Sequence, residues 1–553
     1  MTDMRVRAAR RVAGYALATV LAALTVAAYG QASDPQPAAR PLEVPAVTLS
    51  IEDVAEVQVE PGLPPEAELT KPDSAVPLPE ADELRVVTPG LPEVLTDSGE
   101  GGTGLLGPGL ALQAAVAAGN NGLLTSSIAL QHAGDGPDFH LGVDHQLLEG
   151  FGPPAPLQGY HRTDDLQGAY SSDIGGADLG VAGRYRRVED GLQDIGDPAH
   201  DLSHQLVDGN LTLLVRPSDV VTVNGMIGGR GASREFRGSE ELAVTEWQGR
   251  AGAGLTAQLR QLEIGVTGDY EFRHIRVEEP TAHRLLGQLA LAYDLGVPVR
   301  LGARAGVQYA SEDKTSEVRI PFEVSMDGMP TDLVTLRIAA GREIIGRDLA
   351  GLYETLKFVE EPADLRDTRQ WFGDVSVRAA VGEDVHLVAA VRGESGTNRV
   401  DISGELGEHS RLHQVVQTAE AGTLQTGLGL RWDINPNAAL NLDWSGAFFD
   451  IPLYQSPHVF SLGMRATWDG GRFGVENNVD WVFPNELETG RYRAPDVGLP
   501  IVSARGFYNI SDNFAIVAGL ADLLQPLSDE PRYELAPYQE PGFQASLGVE
   551  VNL

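Results

Sequence analysis

Charged side chains occur at alternate positions in several segments of this chain, and they are the residues best placed to bind or select a solute. Four arginines alternate with glycine or glutamine, and a neighbouring segment adds three acids and a fifth arginine. The candidate residues are Arg250, Arg260, Arg300, Arg304, Glu263, Asp269, Glu271 and Arg273. If they line a water-filled passage, such charges select which solutes pass. If they pair across the interior, they form a closed polar core instead, and the sequence leaves both interpretations open.

Catalytic and metal-binding chemistry finds little support in the sequence. The chain has no cysteine, which excludes thiol nucleophiles, thiolate metal sites and disulfides. His409 and His413 are four residues apart, a spacing that joins two metal ligands on a helix, but they lie near a predicted loop. Residues 102–107 spell Gly-x-Gly-x-x-Gly, yet no strand precedes them and Pro108 follows them. We therefore predict that the protein is not an enzyme and has no cofactor, metal site or catalytic residue.

The elements that position the charges are predicted to be β-strands. From about residue 124 onwards the dominant pattern has period two, for example over residues 262–273, 299–309 and 460–468. Because successive strand side chains point to opposite faces, each segment has one apolar and one polar face. The segments run roughly 10 to 15 residues, long enough to cross a membrane when tilted. Residues 311–369 are the hardest to interpret, and they could hold two long strands, a long extracellular loop, or both.

This pattern predicts an all-β fold, a closed antiparallel transmembrane β-barrel of about 18–22 strands. Its predicted extent is residues 123–553. A sheet in lipid has to close, since unpaired backbone groups at an open edge are not tolerated there. Aromatic residues near strand ends, such as Tyr270, Tyr309, Trp468 and Trp481, are placed as interface girdles would be.

The N-terminal part of the chain differs from the predicted barrel. Residues 1–32 have an arginine-rich start, an uncharged apolar run and small residues at the end, which predicts a signal peptide; an uncleaved membrane anchor is the alternative. Residues 33–122 are predicted to be a periplasmic tether, disordered, proline-rich and acidic at first and then glycine-rich. The net charge of −37 argues against nucleic acid as a partner.

The last predicted strand ends on the final residue of the chain. Its polar, glycine and apolar positions, Ser546, Gly548, Val551 and Leu553, resemble the C-terminal insertion signal of outer-membrane barrels. The usual terminal aromatic residue is replaced by Leu553. The resemblance implies a bacterial outer-membrane location, with the N-terminal segment in the periplasm. It also implies two partners, the barrel-insertion machinery and outer-membrane lipid.

In strand length and number the chain is similar to the barrels of TonB-dependent receptors and large porins. Those receptors carry a large folded plug before the barrel, whereas here residues 33–122 are mostly proline-rich and acidic, so a full plug is not expected. The resemblance implies a passive or gated outer-membrane channel or transporter for an unidentified solute. One alternative is a TonB-dependent-receptor-like barrel that lacks a full plug. Another is a structural or adhesive envelope barrel whose acidic tail, residues 33–100, docks a periplasmic protein.

Overall fold

The structure is a computed structural model, and it describes most of the chain from residue 109 onwards. The described ranges are 109–133, 137–151, 159–191, 201–237, 241–275, 281–295, 298–312, 315–331, 333–360, 365–382, 384–406, 412–449, 458–483, 500–527, 533–535, 538–539 and 541–553. The chain divides into two compact units, Met1–Glu68 and Leu69–Leu553, and every described residue belongs to the second. The predicted signal peptide and the proline-rich part of the predicted tether lie outside the described residues, as does His409.

The described residues form a closed antiparallel barrel of 22 strands, within the predicted range. In chain order the elements are β1 (Leu110–Gly119), β2 (Leu124–His132), β3 (Asp138–Phe151), β4 (Gly159–Asp173), β5 (Ala177–Gly191), β6 (Asp201–Ser218), β7 (Val221–Arg237), β8 (Glu241–Leu259), β9 (Leu262–Ile275), β10 (Thr281–Asp294), β11 (Val299–Glu312), β12 (Thr315–Arg319), β13 (Phe322–Thr331), β14 (Val334–Ile345), α1 (Leu349–Thr355), β15 (Thr368–Ala380), β16 (Val385–Thr397), β17 (Arg399–Leu406), β18 (His413–Thr418), β19 (Ala421–Asn435), β20 (Ala438–Phe449), β21 (His458–Trp468), β22 (Phe473–Phe483), β23 (Ile501–Ser511), β24 (Phe514–Ala521), a 3-10 helix (Gln525–Leu527), β25 (Tyr533–Leu535), β26 (Tyr538–Gln539) and β27 (Gln544–Asn552). The strands β12 and β13 share one place in the wall because both pair with β11. The hairpins β17–β18 and β25–β26 form two separate small sheets and are not strands of the wall.

The barrel closes where β27 pairs with β1. Gly119 lies opposite Ser546, and Leu112 and Leu553 exchange two backbone hydrogen bonds of 2.9 and 2.8 Å. The wall therefore begins at Leu110, before the predicted boundary at residue 123. In β1 alanines occupy both faces and there is no charged residue, so the sequence offered little contrast between an apolar and a polar side.

The two ends of the barrel differ in their connections. Tight turns close one end, including the predicted turn at Asp469–Gly470–Gly471, where all three residues have positive φ of 53, 65 and 88°. Glycine adopts this conformation without strain, and such turns suit two-stranded hairpins. Long connections close the other end, among them residues 346–367 and 398–420. The region 311–369 thus contains both wall strands and a long loop, which are the two features that its sequence left open.

The outer face of the barrel is apolar, with aromatic side chains near both ends. At the long-loop end the exposed aromatic residues are Trp247, Tyr270, Tyr309, Trp371 and Phe483. At the tight-turn end they are Tyr170, Tyr293, Trp432, Trp468 and Phe473. Exposed aliphatic residues such as Val266 and Leu289 lie between the two bands. This is the arrangement expected where a barrel crosses a bilayer between two interfaces. No helix in the described ranges is long and apolar enough to cross a membrane.

Candidate functional site in the barrel lumen

A loop from the long-loop end folds against the inner wall and identifies the face that lines the lumen. Residues 346–360 and 365–367, between β14 and β15, contact side chains on β7, β8, β9, β10 and β12. One segment can reach so many neighbouring strands only from the concave side of the barrel. The charged faces of these strands therefore point inward. We call residues 346–367 together with the hairpin β17–β18 the cap.

Several of the predicted lumen residues form ion pairs along the wall. The Nη2 of Arg300 on β11 donates a hydrogen bond of 2.8 Å to a carboxylate oxygen of Glu263 on β9, across the intervening strand β10. Arg250 lies directly opposite Glu271, with Nε 4.0 Å from a carboxylate oxygen. The same Glu271 accepts a hydrogen bond of 2.7 Å from Arg284. The wall thus presents charges of both signs that are largely matched with each other.

The remaining predicted lumen residues have different surroundings. Arg273 is buried, and its Nη1 donates to the backbone oxygen of Arg347 in the cap at 2.5 Å. Asp269 lies opposite Gly252, and Arg304 lies opposite Glu323 on β13. Arg260 lies in the tight turn between β8 and β9 with a φ of 56°, so it is not on the face of a strand.

The predicted C-terminal signal residues lie on the closing strand. Ser546 and Gly548 lie opposite Gly119 and Ala117 of β1, and Val551 lies opposite Ala114. On the inward face of the same strand, Glu550 accepts a hydrogen bond of 2.6 Å from Arg505.

The N-terminus of helix α1 is held by two acids. Asp348 is the N-cap residue, and its side chain accepts a hydrogen bond of 2.5 Å from the backbone N–H of Gly351. Glu246 on the wall strand β8 accepts a second one, of 2.6 Å, from the backbone N–H of Leu349. Carboxylates are favourable at this end because the first N–H groups of a helix have no partner within it. The wall thus supplies part of the helix cap.

Asp367 anchors the other end of the loop. It accepts hydrogen bonds from Arg284 on β10 and from Arg319 on β12, the latter at 2.6 Å. Burial raises the pKa of Asp367, but the two guanidinium groups together with other hydrogen bonds lower it by more than burial raises it. The pKa of Asp367 therefore lies below the ordinary value of 3.8. Burial likewise raises the pKa of Asp348, while the hydrogen bond from Gly351 and other polar contacts bring it below 3.8. Both carboxylates are therefore charged at neutral pH.

The cap also has an apolar core that it shares with the rim of the barrel. Its buried members are Leu202, Phe236 and Val244 from the wall, and Leu349, Leu352, Tyr353, Phe358, Val359, Leu365, Ile402 and Leu412 from the cap. The backbone of His413 in β18 exchanges hydrogen bonds with Phe358 and Glu360 at 2.9 and 2.7 Å, which ties the hairpin to the loop. The cap therefore links the β6–β8 sector of the mouth to the β14–β19 sector.

Sequence reasoning missed the anchors of the cap. Glu246, Arg284, Arg319 and Asp348 were not among the predicted residues, and neither was Asp367. A local signal existed for one of them, since Asp348 precedes the helix-forming run 349–355 as an N-cap residue would. Within the described ranges, no group of three His, Cys, Asp or Glu side chains is arranged to hold a metal ion.

Comparison with known proteins identifies the fold. No family model and no curated protein matches the sequence. Among solved structures, the copper transporter OprC is similar with a TM-score of 0.61 and 14% identity over 80% of this chain and 81% of that one. The FrpB iron transporter from Neisseria meningitidis has a TM-score of 0.62 and 8% identity, over 81% and 82%. The ferric enterobactin receptor PfeA from Pseudomonas aeruginosa has a TM-score of 0.60 and 10% identity, over 81% and 82%.

These similarities define the class of fold. The closed barrel of 22 strands is the barrel fold of the TonB-dependent outer-membrane receptors, as its sequence pattern predicted. In this chain the cap binds the inner wall near the long-loop end through polar anchors and a small apolar core.

Proposed function

We propose that the protein is an outer-membrane transporter or channel whose outer mouth is gated by the cap. The observation that carries this proposal is the way in which the cap is held. Its loop is fixed to the inner wall by a few hydrogen bonds and ion pairs, such as Asp367 with Arg284 and Arg319, and by a small apolar core. It is not continuous with the hydrogen-bonded wall, so it can leave the lumen while the barrel stays closed.

The charged wall suits the passage of a polar solute. Arg250, Arg300 and Arg304, with the acids Glu263, Asp269 and Glu271, belong in this proposal to the path that the solute follows. Arg273 is assigned to the cap side of that path because it binds the backbone of Arg347. Paired charges in a lumen keep it hydrated, and they select against apolar solutes.

The proposed location is the bacterial outer membrane, with the N-terminal segment in the periplasm. The apolar outer face between two aromatic bands supports this location. Outer-membrane lipid and the barrel-insertion machinery are the corresponding partners, and Ser546, Gly548, Val551 and Leu553 are the proposed signal to that machinery. We assign no enzymatic activity to the protein.

The proposal is tested by the ionic conductance of the protein in planar lipid bilayers. A variant in which residues 349–360 are replaced by a short Gly-Ser linker removes the helix and five of the eleven buried members of the apolar core. We expect this variant to conduct more than the wild-type protein does, because the mouth is no longer bridged. The matched control carries the same linker in the tight turn at Asp512–Asn513 and should conduct like the wild type. If neither the wild type nor the cap-deleted protein conducts, the lumen is filled and the proposal is wrong.

A second candidate function follows from the likeness to TonB-dependent receptor barrels. In that case residues 33–100 would bind a periplasmic partner that drives opening. Deletion of residues 33–100 separates the two functions, since it abolishes uptake by a driven transporter and leaves the bilayer conductance of a self-gated one unchanged.

A further inference from the structure

A small cavity lies where helix α1 and the residues after it pack against the inner face of β5, β6 and β7. Its polar lining includes Arg186, Asp190, His204, Arg234, Glu354 and Lys357. The volume open to the centres of water molecules is about 30 Å³. That is room for roughly two waters, or for one carboxylate or phosphate group.

The charges around the cavity favour an anion. Three cationic side chains, Arg186, Arg234 and Lys357, line the cavity, against two acids, Asp190 and Glu354. Each acid also has a partner outside the lining, since Asp190 lies 2.6 Å from His161 Nδ1 and Glu354 accepts a hydrogen bond of 2.8 Å from Arg230. This local excess of positive charge occurs in a chain whose net charge is −37. An anionic group is therefore attracted to this place more than to most of the surface.

The donors around the cavity are held in fixed positions. The guanidinium carbon of Arg234 lies 4.2 Å from the centre of the Tyr353 ring, and its Nη2 donates to the backbone oxygen of Lys357 at 2.9 Å. The His204 ring meets the edge of the same tyrosine, with 5.6 Å between ring centres. Among the described residues, the buried Nε2 of His204 has no hydrogen-bond partner. Buried polar atoms are normally satisfied, so this nitrogen indicates a partner that enters the cavity.

We propose that this cavity binds a small oxyanion, the carboxylate or phosphate group of a solute that arrives through the lumen. Arginine and lysine only donate hydrogen bonds, and such a group accepts several of them at once. The cavity opens on the inner face of the wall, so the headgroups of the surrounding lipid do not reach it. Because Lys357 belongs to the cap and Arg186 and Arg234 to the wall, the bound anion joins the two and holds the cap down. This assignment of a solute class rests on the proposed transport function.

Isothermal titration calorimetry tests the site on the full chain folded in detergent, with inorganic phosphate and acetate as probes. We expect saturable binding of at least one of them. Lys357→Gln removes the ammonium group but keeps the backbone oxygen that Arg234 binds, and Arg186→Gln removes a wall cation. Each should raise Kd about tenfold or more, the loss expected for one charge-assisted hydrogen bond. The control Arg337→Gln removes a lumen cation that pairs with Asp327 at 3.2 Å, away from the cavity, and should leave Kd unchanged.

The outcomes separate this site from the proposed function. If the wild type binds neither probe, the cavity holds water only and the site is refuted, whatever the bilayer conductance. If Arg337→Gln weakens binding as much as Lys357→Gln does, the anion responds to the general charge of the lumen, which also refutes the site. Phosphate or acetate binding in a protein that never conducts refutes the channel and leaves the anion site standing.

Discussion

At the scale of single residues, Asp367 lies between two arginines of the inner wall and is only 5% exposed. Asp367→Asn keeps the shape of the side chain but removes the anion that Arg284 and Arg319 share, while Arg284 keeps Glu271 and Arg319 keeps Glu317 as partners. Weakening hydrogen bonds to charged groups in this way costs about 1.5–3 kcal/mol, here in the docking of the cap. We expect faster hydrogen exchange in residues 346–360 and a higher bilayer conductance.

The matched control for that change is Asp327→Asn on β13. Asp327 also pairs with an arginine, Arg337 at 3.2 Å, but it is 39% exposed. Exposed pairs contribute about 0–1 kcal/mol, so exchange in the cap should stay as it is in the wild type. Equal effects of the two substitutions would mean that Asp367 acts only through the net charge of the lumen.

The pH dependence of the cap follows from the same carboxylate. The folded-state pKa of Asp367 lies below its ordinary value of 3.8. Its charge therefore stabilises the docked cap at pH values above 3.8, and this contribution is lost as the pH falls through the folded-state pKa. We expect a constant conductance between about pH 7 and pH 5 and a rise below about pH 4. A rise that is already complete at pH 6 would point to a histidine instead.

At the scale of elements, the cap is a small packed unit that rests on the inner wall and shares an apolar core with it. Leu349 is 2% exposed in the core of the cap. Its backbone N–H donates to Glu246, and a substitution of the side chain leaves this hydrogen bond in place. Leu349→Ala removes buried methyl groups and should destabilise the cap by about 2–5 kcal/mol. Limited proteolysis should then cut within residues 346–367, while the wall strands stay protected.

The control for this packing change is Leu547→Ala on β27, which is 63% exposed on the outer face. It removes the same atoms from a place without a protein core, so cleavage of the cap should not increase. If Leu349→Ala loosens the wall strands as well, the cap and the barrel form one cooperative unit, and gating by the cap alone is excluded.

At the scale of the whole molecule, closure by β27 decides whether the barrel exists. This strand pairs with both β1 and β24. Deleting Gln544–Leu553 opens two edges whose backbone groups would each cost several kcal/mol in hydrocarbon. We expect the truncated chain to aggregate or be degraded, whereas the intact barrel migrates faster unheated than boiled on a detergent gel. A truncated protein that still shows this heat-modifiable band would exclude β27 as the closing strand.

Two point substitutions refine the test of the closing strand. Leu553→Asp puts a charge near the membrane interface, where the cost is roughly 0–1 kcal/mol, so assembly should fall only modestly. Glu550→Gln changes an inward residue, and Arg505 keeps Glu476 as a second partner at 3.2 Å, so assembly should be normal. The yield of the heat-modifiable band measures both effects.

The sequence by itself determined the class of fold. In segments such as β9 and β11, apolar and polar residues alternate along the sequence, and this alternation alone determines the two faces of the strand. Their length and number predicted a closed barrel, and the alternation at the C-terminus predicted the last strand. The first strand escaped because Leu110–Gly119 contains too few large apolar or charged residues to mark its two faces.

Only the tertiary structure decided which charges meet. Glu246 caps a helix that lies 103 residues further along the chain, and Arg284 binds Asp367 at a separation of 83 residues. Such contacts depend on the register of many strands, on closure of the barrel and on the path of one loop back into the lumen. Period-two patterning places a charge on a face but does not say which distant segment arrives there, because each strand encodes its own faces and not its partners.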